Sequence, residues 1–161
     1  MSSRRARNLT ATAVAAISFV FAGAIPAHAA PDWQTYKATS NWTCGDDKSH
    51  KVSRDLIFQT CIVKGDRKAQ AVLVVSNRST KDVVLPMARV HSNGLYGAGH
   101  ENEVQCGGMF GGAYTLKGGQ ARACFAPTVP VHCADIIAFG KLWANSVGED
   151  ATYNVVARPG C

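Results

Sequence analysis

The sequence has no block of five or six like charges, no close pair of cysteines, no sustained apolar repeat at helical spacing and no recognisable nucleophile–base set. Each absence removes a class of function. A nucleic-acid surface concentrates Lys and Arg on one face, and the excess of basic residues here, 17 against 11 acidic, is spread along the chain. Three of those basic residues, Arg4, Arg5 and Arg7, lie in an N-terminal leader that holds no acid, so the remainder stands at only +3. The small cluster Lys64, Arg67 and Lys68 reads as a charged turn. No nucleic-acid partner is expected.

Structural zinc sites bring cysteines in pairs such as C-x2-C, whereas the shortest cysteine spacing here is Cys124 to Cys133. The H-E-x-x-H and G-x-S-x-G patterns that carry metalloprotease and hydrolase chemistry are missing. Two glycine-rich stretches, Gly94–Gly99 and Gly107–Gly112, lack the following Lys-Ser/Thr and the strand-to-helix setting of a phosphate loop. These absences argue for a protein that is not an enzyme and carries no cofactor.

What is present begins with the leader. Arg4, Arg5 and Arg7 form a positive n-region, Leu9 to Ile25 is apolar and small, and Ala27-His28-Ala29 supplies small residues at a signal-peptidase site. The apolar run is short for a helix of about 20 residues crossing a bilayer. Residues 1–29 are therefore expected to be a removed signal peptide. Residues 30–161 are expected to form a single secreted, monomeric domain with no membrane span. All six cysteines, Cys44, Cys61, Cys106, Cys124, Cys133 and Cys161, fall after the leader. An even count in a small exported chain reads as a disulfide framework in an oxidising compartment.

Short runs of β-branched and aromatic residues separated by turn residues follow. Leu56–Val63 and Ala71–Val75 read as a hairpin around Lys64–Lys68. Val83–Val90 is a strand interrupted by Pro86, hence edge-like or bulged. Ser92–Gly112 reads as a long glycine-rich loop, and strands resume at Ala113–Leu116, Gln120–Phe125, Val131–Phe139 and Ala151–Ala157. The best helical candidate is Asp135–Asn145, weakened by Gly140. Seven or eight short strands with regular turns predict an all-β, antiparallel β-sandwich, of immunoglobulin-like type and reinforced by disulfides. The antibody-type order of Cys, buried Trp and Cys is absent, since Trp42 precedes Cys44 and Trp143 lies near the end.

Six cysteines allow 15 connectivities. Strand pairing favours a nearest-neighbour scheme of Cys44–Cys61, Cys106–Cys124 and Cys133–Cys161, with the last tying down the chain end after a turn around Ser146–Asp150. The competing link is Cys124–Cys133.

Three candidate functional features stand out. Tyr96, Met109 and Phe110 are large apolar groups in the glycine-rich loop, the kind of adaptable segment that binds ligands from a rigid scaffold. The segment Phe125–His132 is stiffened by prolines and bracketed by cysteines, as the presented loop of an extracellular hydrolase inhibitor would be. His100, Glu101 and Glu103 could bring an imidazole and two carboxylates to a cation, as a small metal-dependent hydrolase would. Asn41-Trp42-Thr43 and Asn77-Arg78-Ser79 fit the N-glycosylation pattern, but the alanine-rich leader reads as a Gram-positive bacterial export signal. In size, export and paired cysteines the plan resembles small secreted actinobacterial β-sandwiches such as enediyne-chromophore carriers and subtilisin inhibitors; they share no motif with it, and no site is transferred. The expected function is an extracellular binding module whose partner is a protein, a cell-envelope component or a small molecule.

Overall fold

A computed structural model describes residues 32–65, 68–93, 103–108, 112–130 and 135–156. They form eleven strands: β1 (Trp42–Cys44), β2 (Lys48–His50), β3 (Ser53–Gly65), β4 (Lys68–Asn77), β5 (Val83–Leu85), β6 (Met87–Asn93), β7 (Val104–Gly107), β8 (Tyr114–Leu116), β9 (Ala121–Pro130), β10 (Ile136–Ala144) and β11 (Val147–Val156). One sheet runs β1–β3–β4–β9, with β2 also paired to β3 beyond the end of β1. The other runs β11–β10–β6–β7, and β5 pairs with β8 apart from both. Every pairing is antiparallel. The sheets lie face to face, with β3 over β10 and β11, β4 over β10 and β6, and β9 over β6 and β7.

This is the expected sandwich, and its connectivity is that of an immunoglobulin-type Greek key. β3, β4 and β9 stand where strands A, B and E do, and β6, β7, β10 and β11 stand where C, C′, F and G do. Among the described residues, the place of strand D beside β9 is taken by the N-terminal segment. Gln34 exchanges two backbone hydrogen bonds of 2.9 Å with Ala123 and covers that part of the edge. An unpaired edge is a template for unwanted strand addition, and Pro127 and Pro130 remove further donors from the same strand.

The long strands arise from period-two burial. In β3, Leu56, Phe58, Thr60 and Ile62 point inward; in β4, Ala71, Leu73 and Val75 do the same and lie opposite them in register. Phe58, Leu56, Ile62, Leu73, Leu85, Leu116 and Leu142 are fully buried, each contributing about 1.5–3 kcal/mol of transfer free energy. Pro86 does more than bulge a strand. It divides Val83–Val90 into β5 and β6, which belong to different sheets.

Two links of the nearest-neighbour scheme are present. Cys44 and Cys61 are register partners in β1 and β3, with S–S 2.05 Å. Cys106 and Cys124 join β7 to β9, and so join the two sheets, with S–S 2.04 Å. Loops of 17 and 18 residues correspond to about 3 kcal/mol each in the chain-entropy picture. Cys133 and Cys161 lie outside the described residues. Two formed disulfides point to an oxidising compartment.

The inter-sheet link also has its tryptophan, supplied from an unexpected position. Trp33 is buried in the same core as Cys106 and Cys124. The carbonyl of Asp32 lies 3.7 Å from Cys106 Sγ, and Gln34 is paired to the neighbour of Cys124. The antibody-type pattern is absent on two counts: the tryptophan comes from a segment ahead of the first strand, and this disulfide joins the C′ and E positions rather than B and F.

Four expectations are corrected. Asp135–Asn145 is not helical but forms β10, because Ile136, Ala138, Gly140, Leu142 and Ala144 alternate inward with a second apolar set facing out. The β10–β11 turn is Asn145-Ser146, not Ser146–Asp150. Both residues have positive φ (45° and 62°), as a two-residue type I′ hairpin requires. Ser92–Gly112 is not one loop, since β6 runs to Asn93 and Val104–Gly107 pairs with Met87–Val90 as β7. Phe125–Pro130 is not a projecting loop but the second half of β9. It is paired to Lys68–Val72 across a bulge, where Gln70 Nε2 donates to the Ala126 carbonyl at 2.8 Å.

Candidate binding face

The two sheets differ in how their outer faces are treated. Outside β3, β4 and β9, a second small core forms from Cys61, Val72, Val74 and Ala123. The N-terminal segment folds over it. Tyr36 stacks on Trp42 at 5.7 Å and Trp42 meets Phe125 edge-on at 6.1 Å. That face is closed.

The outer face of β10, β6 and β7 has no such cover among the described residues. On β10 the inward residues are small or aliphatic, so Ile137, Phe139, Lys141 and Trp143 must all point outward; Ile137 is 39% exposed. On β6, Ala88 and Val90 are buried and Met87, Arg89 and His91 face out. Register then sets the rows: Trp143 opposite Met87, Lys141 opposite Arg89, and Phe139 opposite His91. Phe139 and Trp143 stand four residues apart on one strand, or about 14 Å at 3.4 Å per residue.

Two cations and an imidazole lie against these rings. Arg89 Cζ is 5.8 Å from the centre of Trp143, Lys141 Nζ is 5.6 Å from that of Phe139, and the His91 ring is 5.0 Å from Phe139. Glu103, just before β7, reaches across with Oε1 3.5 Å from Arg89 Nε and Oε2 3.7 Å from His91 Nδ1. The result is a flat, strand-anchored surface of aromatic and cationic groups. Trp, Phe, Met and Arg are the residue types enriched where proteins bind partners.

One cleft competes with it. About 620 Å³ of space opens at an end of the sandwich among Ser53, Asp55, Arg78, Lys81, Asp82 and Asn145. Two of its four charged side chains are paired. Arg78 pairs with Asp47 at 3.2 Å and Asp82 with Lys117 at 2.7 Å. The Lys117 hydrogen bond holds the Asp82 carboxyl below its usual value, assisted by the Gly118 N–H. Asn145 is engaged in turn structure, accepting from Val84 N at 2.9 Å.

Of the candidates singled out in the sequence, Tyr96, Met109, Phe110, His100 and Glu101 lie outside the described residues. Glu103 is described, and it joins Arg89 and His91. Among the described residues, no group of three or more His, Cys, Asp or Glu could hold a metal ion. No helix among them is long and apolar enough to cross a membrane. The glycosylation pattern at Asn77 falls on a buried side chain. Its Nδ2 donates to the carbonyls of Lys81 and Leu116 at 2.7 and 3.2 Å, and its Oδ1 accepts from Ser79 Oγ at 2.8 Å.

Sequence reading missed Phe139, Lys141, Trp143, Arg89 and His91. A signal existed in the run 136–144, where one alternate set is small or aliphatic and the other is apolar but for Lys141. It was masked because an apolar run with two hydrophobic faces also suits a buried helix.

No family model matches this chain, and no curated protein matches it. Among solved structures it is similar to the X-ray structure of a Northeast Structural Genomics Consortium target, SoR45, at 13% identity, covering 74% of this chain and 89% of that one with a TM-score of 0.38. It is also similar to the GAE domain of GGA2p from Saccharomyces cerevisiae, at 10% identity, covering 71% and 98% with a TM-score of 0.25. Likenesses at this level transfer neither residues nor roles.

Proposed function

We propose that this protein is an exported, disulfide-reinforced binding module that works outside the cell without catalysis. It holds an extracellular protein, an envelope component or a small molecule on the outer face of β10, β6 and β7. The observation that carries this reading is the contrast between the sheets. The chain spends an N-terminal segment and three aromatic rings covering one outer face, and leaves Ile137, Phe139 and Trp143 partly exposed on the other. Large apolar groups kept partly in water along one strand suit a partner that removes them from it. The two formed disulfides and the leader at residues 1–29 support the extracellular setting.

The test is co-sedimentation of the processed protein with washed cell envelope from the organism that exports it, comparing wild type with Phe139→Ser and Trp143→Ala. Truncating a central aromatic anchor typically costs 2 kcal/mol or more, roughly thirtyfold in affinity. Saturable binding lost to that degree, with an unchanged unfolding midpoint, supports the face. Equal retention of wild type and both variants refutes it.

A further inference from the structure

We propose that Cys44–Cys61 is an exchangeable disulfide, opened by an extracellular dithiol, and that opening it releases the cover over the outer face of β3, β4 and β9. The two disulfides among the described residues are placed in opposite ways. Cys106 and Cys124 are both buried in the main core between the sheets, where a reductant reaches them only if the sandwich opens. Cys44 lies exposed at the end of β1, an edge strand of three residues, and the main core contains neither it nor Cys61. Exposed disulfides are the labile ones, and enclosed structural ones resist reduction. The Cys44–Cys61 bond can therefore open by a local movement of β1 that leaves the sandwich standing.

Register places this bond beside the cover. Gly45 N donates to the Thr60 carbonyl and Lys64 N to the Asn41 carbonyl, both at 2.9 Å. By alternation, Cys44/Cys61 and Trp42/Val63 are then the non-hydrogen-bonded pairs of β1 and β3, whose side chains stand closest together. Residues two apart on a strand share a face, so the disulfide and Trp42 lie side by side on the outer face. Cys61 itself belongs to the small apolar cluster there, and Trp42 packs against that cluster.

The exchange balances as follows. A thiolate of the dithiol attacks Cys44 Sγ, the S–S bond breaks, and Cys61 leaves and takes a proton. The second thiol of the reductant then attacks the mixed disulfide and releases Cys44, which also takes a proton. The protein gains two electrons and two protons, and the dithiol becomes a disulfide. With its one covalent tie to β3 cut, β1 keeps only three paired residues, and Trp42 is free to lift from the cluster.

The test is a time course of the processed, native protein in dithiothreitol, blocked at intervals with N-ethylmaleimide and mapped by peptide mass, while the Trp42 indole N–H resonance is followed by NMR. Cys44 should be alkylated at least about tenfold faster than Cys106 and Cys124, because its bond needs only local opening. The far-ultraviolet spectrum should not change, and the Trp42 resonance should move with the same time course. A Cys44→Ser, Cys61→Ala double variant should show the moved resonance with no reductant present. If Cys44–Cys61 and Cys106–Cys124 open together, or only as the sandwich unfolds, the exchangeable bond is overturned. If Cys44–Cys61 opens while the Trp42 resonance stays in place, its control of the cover is overturned. Reduced wild type decides the matter by itself should the double variant fail to fold.

Discussion

Gly140 lies at the centre of β10, on the inner face, close against the facing sheet. A Cβ built there would stand 2.7 Å from Leu73 Cδ1 and 2.9 Å from Thr60 Oγ1. Leu73 and Thr60 are themselves register partners in β4 and β3, both fully buried. The single methyl of Gly140→Ala must therefore rotate Leu73 within a filled core or push the sheets apart. Overpacking of this kind costs about 1–3 kcal/mol. Against it stands the gain of about 0.4–1 kcal/mol that replacing glycine gives by restricting the unfolded chain. The expected net loss is about 1–2 kcal/mol in urea unfolding, with unchanged dependence on denaturant. The decisive measurement is a double-mutant cycle with Leu73→Ala. That change alone should cost about 2–5 kcal/mol through its cavity. In the Gly140→Ala background it should cost at least 1 kcal/mol less, since the methyl then occupies released space. A Gly140→Ala protein as stable as wild type, or strict additivity in the cycle, would refute the argument that close sheet approach dictates this glycine.

Two further predictions concern the end of the sandwich. Asn77→Ala removes a buried side chain that ties the Arg78–Lys81 turn to β8; it takes the Asn77 donor from the Leu116 carbonyl and leaves the Lys81 carbonyl with Ser79 Oγ at 3.0 Å, and should cost about 1–3 kcal/mol in denaturant unfolding. Asp82 is held below its ordinary value by Lys117. Its contribution to stability is accordingly present above the unfolded carboxylate pKa of about 3.9 and is lost as pH falls through the lowered native value. Lys117→Met should move the Asp82 carboxyl titration upward, read by carbon NMR, and flatten the acid limb of stability over that same window. No movement of the titration would show that the Lys117 bond does not hold in solution.

Much of the fold was legible because it is written locally. A strand declares itself in alternation, and Leu56–Val63 and Ala71–Val75 sit inside β3 and β4. The Cys44–Cys61 link followed from asking which strands could lie side by side; Cys106–Cys124, which joins opposite sheets, was the pair that reasoning left over. The error at Asp135–Asn145 has a physical origin. Apolar residues on both faces of a strand erase the contrast that distinguishes period two from a helical stripe, and only the partner sheet shows which set is inside.

The candidate face was not legible at all. Arg89 and Lys141 are more than fifty positions apart, and nothing near either one signals the other. Their opposition is set by the β6–β10 register, which in turn follows from burying Ala88 and Val90 beside Gly140 and Leu142. The sequence by itself determined the two-residue rhythm of β3 and β4 and the Cys44–Cys61 link, because each depends on neighbours in the chain. The tertiary structure alone decided which outer face the N-terminal segment closes, which tryptophan enters the core and which side chains stand together on the other face. Those outcomes depend on how two sheets fill the space between them, a property of the whole chain that no local segment carries.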